Sequence, residues 1–289
     1  MYRVQWLFLI CSFCFTGLQH THSQDLSFGF KAGLSNVSVD GPIESLSNGM
    51  QLENVKSNRA FILSLLLNVK FTDEFLLQTE FMYNQKGYNY NYKGPSYAIL
   101  RTEDQSYTLS ANRDMSLNVS NTYFQIPVSL SYKLFNRFQL QGGVYGSLLV
   151  SSTGAGNILY TDIAEVPGAV ELALNYNYRS NKAMGASPGS QEIRINNEPV
   201  LIANQVGAYY DYPEKNKALF KTLDAGVHAG VNLFINQSLF VGARYSRGLI
   251  DITRNAVDRS YQDLNQGDLR FTDDEDYYSA WEFTIGFSF

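Results

Sequence analysis

From Ser279 to Phe289 large apolar side chains take turns with small or polar ones: Trp281, Phe283, Ile285, Phe287 and Phe289 against Glu282, Thr284, Gly286 and Ser288. Successive side chains of an extended strand point to opposite faces, so this period of two puts all five large groups on one face. The same alternation opens the chain's folded part, where Leu26, Phe28, Phe30, Ala32 and Leu34 oppose Ser27, Gly29, Lys31, Gly33 and Ser35. It recurs at about 58–71, 74–88, 117–134, 137–151, 222–234 and 238–252, which predicts eight strands in all. Thr72-Asp73, Phe135-Asn136 and Asn236-Gln237 read as tight turns. The other connections read as long polar loops, among them a tyrosine-rich one at 89–116 and the longest at 152–221. Pro127 interrupts the fourth strand; it donates no hydrogen bond and predicts a bulge or kink.

Periodicity alone does not say which face is inside, but the chemistry of the faces does. One face is nearly continuous Phe, Leu, Val, Ile and Tyr, while the other carries Lys31, Glu80, Asp224, His228, Arg244 and Glu282 beside glycines and serines. An eight-stranded barrel has an interior just wide enough for its side chains, so the large aromatics belong outside. In water they would form an apolar patch far above the few hundred Å² that soluble proteins expose; in lipid they are at home. Short turns then fall on the periplasmic side and long loops outside. The expected fold is an all-β, eight-stranded antiparallel transmembrane β-barrel, an up-and-down meander with long extracellular loops, in the outer membrane.

The amino terminus fits export. Residues 1–23 combine Arg3, an apolar run from Val4 to Phe15 and small residues at Thr21 and Ser23, which reads as a signal peptide cleaved before Gln24. Residues 24–289 form the barrel domain, with 152–221 as its long surface loop. Both cysteines, Cys11 and Cys14, fall in the signal segment, so disulfides and thiolate chemistry are not expected afterwards. A formal net charge of −5 without a basic stripe argues against nucleic acid.

Four stretches carry a resemblance: Tyr123-Phe124-Gln125-Ile126-Pro127-Val128, Gly142-Gly143-Val144-Tyr145-Gly146, Asp224–Val231, and Ala243 through Ile252. Together they resemble the PorT-like family of outer-membrane β-barrels of Bacteroidetes. The resemblance implies a cell-envelope barrel, and the family's namesake is linked to protein secretion and maturation at the cell surface. The terminal Phe289 resembles the signal that barrel-insertion machinery reads.

The inward Lys31, Glu80, Asp224, His228, Arg244 and Glu282 are expected to plug the lumen as a paired network, since buried charges must be paired. A proton path or catalytic cluster is the sharper alternative. His228 has no evident nucleophile by spacing, so no catalytic residue is expected. The acidic run Asp273-Asp274-Glu275-Asp276 lacks calcium-loop spacing and reads as a solvated loop; neither metal nor cofactor is expected. Tyrosines in Gly87–Tyr97 and Ala208–Tyr212 suit either a protein or glycan partner or an aromatic girdle at the lipid boundary. The expected role is a non-enzymatic surface-loop scaffold, or an accessory in protein secretion or envelope assembly. A narrow pore for small solutes is the alternative, with a lipid-modifying enzyme behind it.

Overall fold

A computed structural model of the chain describes residues 26–135 and 137–289; the expected signal peptide and Asn136 lie outside them. In chain order the strands are β1 (Leu26–Asp40), β2 (Glu53–Lys70), β3 (Phe75–Arg101), β4 (Ser106–Leu134) and β5 (Phe138–Thr161). Then come β6 (Val170–Asn177), β7 (Gly189–Ile195), β8 (Glu198–Ala203) and β9 (Gln205–Val206). Next follow β10 (Leu223–Phe234), β11 (Leu239–Gly248), β12 (Arg259–Asn265), β13 (Asp268–Phe271) and β14 (Tyr277–Ser288). The ring runs β10-β11-β14-β1-β2-β3-β4-β5 and closes where β5 pairs with β10, so eight antiparallel strands form the barrel. Closure between β1 and β14 runs from Gly29↔Ser288 to Asp40↔Tyr277. Phe28 and Phe289 complete it, exchanging N–H···O bonds of 3.0 and 2.8 Å.

The outward belt is the predicted one: Phe28, Leu65, Phe81, Ile126, Val144, Leu223 and Trp281 are all exposed to the lipid side. The six inward charged or titratable residues are all buried. The expected bulge at Pro127 does not form. The β3–β4 ladder instead omits the pairs opposite Pro127 and resumes unshifted at Met82↔Gln125, because the missing N–H removes bonds without adding a residue. Register shifts elsewhere in these walls lie between Thr122 and Tyr123 and between Ser57 and Ile62.

The loops differ most from expectation. A membrane crossing takes about 9–11 residues of strand, yet β3 has 27 residues and β4 has 29. The tyrosine-rich stretch 89–116 is therefore the outer half of a hairpin, turning only at 102–105. Along β4 the odd-numbered residues face inward throughout. Within the membrane they are polar (Gln125, Ser129, Ser131); beyond it they are apolar (Met115, Leu117, Val119), while the outward Ser116, Asn118 and Ser120 meet water. The strand keeps its parity and swaps its chemistry where lipid gives way to solvent.

Segment 152–221 is likewise structured. The outer half of β5 pairs with β6 from Thr153↔Asn177 to Tyr160↔Val170, β9 adds a short parallel pairing, and β7–β8 form a hairpin. With the β12–β13 hairpin these elements fold over the barrel mouth as a roof. Its own apolar core includes Ile163, Val170, Leu172, Ile202, Phe220 and Ile252.

Gly286 faces inward at the closing seam, where an added Cβ would collide with the Phe240 ring and stand 2.8 Å from Lys31 Cβ. Gly286→Val is expected to block closure, leaving no compact, heat-modifiable band on cold gel electrophoresis. The outward Ile285→Val is expected to fold normally; a folded Gly286→Val barrel would mean that the seam tolerates the clash.

Candidate functional site

The inward residues divide into two layers within the barrel. In the periplasmic layer Glu80 is the hub. Its Oε1 accepts hydrogen bonds from Lys31 Nζ at 2.8 Å, Arg244 Nη1 at 3.0 Å and Gln78 Nε2 at 3.1 Å, and its Oε2 accepts one from Ser64 at 3.1 Å. Arg244 reaches across to Glu282, with Nε at 2.7 Å and Nη2 at 2.6 Å from Oε2. Glu282 pairs with Arg244 along the β11–β14 ladder, whereas Glu80 arrives from the far wall. Two cations thus meet two carboxylates, and the layer is neutral. Towards the periplasm a cavity of about 20 Å³ lies beside Gln78, Gln139 and Phe240, room for roughly one water.

The outer layer is built on Lys86, which donates to Asp224 at 2.8 Å and lies 4.8–5.1 Å from the ring centroids of Tyr123, Tyr145 and Tyr278. Three electron-rich faces and one carboxylate replace the water this ammonium has lost. The arrangement repeats in the roof. Arg113 sits among Tyr92, Tyr97, Tyr160 and Tyr261 at 4.5–6.0 Å, donating to Tyr97 O and Tyr160 Oη at 3.0 Å each. Arg259 pairs with buried Asp211 and lies 5.5 Å from the Tyr212 ring.

Of the six predicted residues, Lys31, Glu80, Arg244 and Glu282 form one network, Asp224 belongs to the Lys86 layer, and His228 stands apart. His228 Nε2 is 2.8 Å from Ser129 Oγ, a hydroxyl neighbour that spacing did not reveal; Nδ1 has no partner, so no acid orients the ring, and the pair is buried in the lumen. Lys86, Arg113, Asp211 and Arg259 were not singled out. Lys86 and Arg113 share the inward parity of their strands, which is the signal that marks them. The tyrosines of the expected partner loops point into the roof: Tyr92, Tyr97, Tyr209, Tyr210 and Tyr212 are buried.

The acidic run alternates, with Asp273 and Glu275 exposed and Asp274 and Asp276 turned inward. Asp258, Asp274 and Asp276 bring carboxylate oxygens within 4.8 Å of one another, the one such grouping close enough to share a cation among the described residues. They line a cavity of about 490 Å³ with Glu44 and Glu53. Burial, then repulsion from Asp276, Asp274 and the two glutamates, pushes Asp258 up to about 8. Burial lifts Asp276 to about 6, against a 3.0 Å hydrogen bond from Thr253.

Lys86→Met leaves Asp224 buried and unpaired and is expected to cost about 3–5 kcal/mol, read as a lower temperature for loss of the folded gel band. Adding Asp224→Leu is expected to recover most of that loss. Arg244→Ala is expected to lower stability similarly while leaving ion conductance unchanged; altered conductance at unchanged stability would reassign the network to transport. In the roof, folding raises the Asp258 and Asp276 pKa values above their unfolded ones. The folded roof therefore holds protons more tightly and loses stability as pH rises from about 4 to about 8. Protease cleavage within 253–276 should be faster at pH 9 than at pH 5, and Asp258→Asn should flatten the difference.

A family model of the outer membrane protein beta-barrel domain matches residues 19–254. No curated protein matches the chain. Among solved structures, Ail, the attachment invasion locus protein of Yersinia pestis, in complex with the heparin analogue sucrose octasulfate, is 9% identical at a TM-score of 0.36. That match covers 92% of this chain and 99% of that one. OprG, an outer membrane protein from Pseudomonas aeruginosa, is 9% identical at a TM-score of 0.33, with 92% and 97% covered. The outer membrane protease OmpT from Escherichia coli is 11% identical at 0.32, with 94% and 99% covered. The expectation of a non-enzymatic chain is corrected: an outer membrane protease stands among the structures this chain matches, and enzymatic chemistry is not excluded. With a match that takes in seven of the eight barrel strands, the chain belongs to the outer membrane protein beta-barrel domain family and resides in the outer membrane.

Proposed function

We propose that this protein is a surface scaffold, a folded extracellular platform held in the outer membrane by a plugged barrel, and that it serves protein secretion or envelope assembly. The roof carries this reading. Long walls from β3, β4 and β5, an apolar core above the membrane and buried Arg–Tyr clusters hold the outer face in one shape. Such rigidity has little use in a protein that only conducts. A lumen whose charges are mutually neutralised, with room for about one water at its periplasmic end, supports the scaffold over the narrow pore. The secretion and assembly context comes from the PorT-like stretches, with Phe289 as the feature recognised by barrel-insertion machinery.

The β7–β8 hairpin is the natural segment to remove, since Ser187 N donates to Gln205 O at 2.9 Å and the two ends already meet. Mature protein with and without 188–204 would be crosslinked in outer membranes and its neighbours identified by mass spectrometry. A secretion or assembly component crosslinked only to the full chain is the expected outcome. Steady ion conductance of the full chain in a planar bilayer would overturn the scaffold reading in favour of the pore.

A further inference from the structure

At the membrane-distal end a cleft of about 770 Å³ opens between the tip of the β3–β4 hairpin, the segment 209–217 and the β12–β13 hairpin. This volume lies in the range of small-ligand sites, roughly 300–1,000 Å³. Its inner wall is fixed. Arg101 donates to Tyr210 O at 3.2 Å, and Lys215 donates to Asn181 O at 2.6 Å and Arg179 O at 3.0 Å. Asp211 is taken by Arg259, and the Tyr212 hydroxyl by Val257 O at 2.6 Å. Nothing on that wall needs to rearrange or to lose a partner when the cleft fills.

The mouth has the opposite character. The side chains of Ser106, Thr108, Glu214, Asn216, Lys217 and Asp268 make no hydrogen bond or ion pair among the described residues. Beside them Phe271, the last residue of β13, is 44% exposed. Its ring is 6.2 Å from that of Tyr212, which is buried and held by its hydroxyl. An exposed aromatic ring with a fixed ring behind it, edged by hydroxyls, an amide and both signs of charge, is the chemistry that receives a pyranose. The C–H face of the sugar lies on the ring, and its hydroxyls exchange hydrogen bonds with the rim. A polyanion is disfavoured. Arg101 and Lys215 are committed to backbone carbonyls, so among the described residues that line the cleft Lys217 is the one free ammonium, set against the carboxylates of Glu214 and Asp268. An apolar ligand would strand these polar groups without water.

We propose that this cleft binds an uncharged, hydroxyl-rich saccharide, with one pyranose ring seated on Phe271. The proposal deepens the platform reading and rests on it for the choice of outer face. The test uses the full mature chain folded in detergent micelles, titrated calorimetrically with maltopentaose, cellopentaose, mannopentaose and chitopentaose. The neutral surface polysaccharide of the producing cells is a separate arm, which distinguishes a self-derived ligand from a free oligosaccharide. Binding to a neutral saccharide is expected. Phe271→Ala should weaken it about tenfold or more, Phe271→Tyr should keep it, and all melting temperatures should stay level. Asn216→Ala with Thr108→Val, at the exposed rim, is expected to weaken it as well and stands in if Phe271→Ala folds poorly. Binding of none of these, binding only of sulfated or carboxylated glycans or of peptides, or affinity indifferent to both variants would overturn the proposal. Loss of the saccharide with the crosslinked protein partner intact would remove this ligand class and leave the platform.

Discussion

In hydrocarbon no water is available to an unpaired backbone N–H or C=O, so a sheet that crosses a bilayer must close on itself. Every other feature of this barrel depends on that constraint. Closure of eight strands through β1–β14 and β5–β10 fixes the girth, and the girth leaves an interior that side chains must fill. Polar residues there have no bulk water to fall back on, so each charge needs a partner, either on the next strand, as Arg244 has Glu282, or across the lumen. Glu80 on β3 meets Arg244 on β11, and Lys86 on β3 meets Asp224 on β10. The plug is thus a consequence of closure, and in turn these ties brace opposite walls.

The same strands answer to a second solvent where they leave the membrane. Because side-chain parity cannot change within a regular strand, the inside of β4 stays the inside, and only its chemistry turns over from Gln125 and Ser129 to Leu117 and Met115. The extracellular walls thereby acquire an apolar inner face, and the loops fold onto it. Buried arginines are compatible with that core because tyrosine rings and carbonyls surround them, as Arg113 shows with four rings and the carbonyl of Tyr97.

The strand faces were legible because a lipid-facing period of two is hard to mistake, and with them the burial of Lys31, Glu80, Asp224, His228, Arg244 and Glu282. The outer halves of β3, β4 and β5 were not. There the alternation is inverted and muted, with Tyr, Ala and Val against Asn, Ser and Thr, a composition shared with loops. Partners across the lumen were equally hidden. They depend on strand stagger and barrel closure, so sequence could place Ser129 and His228 inward without placing them 2.8 Å apart. Lys86 falls on the Glu80 face within the predicted third strand, and carrying the parity of Gln125 upward along β4 would have reached Arg113; only the assumption that the strands stop at the membrane hid that the walls continue.

Charge is distributed accordingly. The lumen neutralises itself: each cation of its two layers has a carboxylate within 3.0 Å. The roof does not, for Asp258, Asp274 and Asp276 crowd together with Glu44 and Glu53 in one cavity, and Phe271 stands between that cavity and the neighbouring cleft. Unbalanced charge is tolerated at the outer face because water reaches it, whereas every charge of the two lumen layers has a counter-charge. The charges that brace opposite walls of the barrel are engaged within the chain, whereas the polar groups left free at the cleft mouth lie on a preorganised surface, where a ligand would meet little ordering cost.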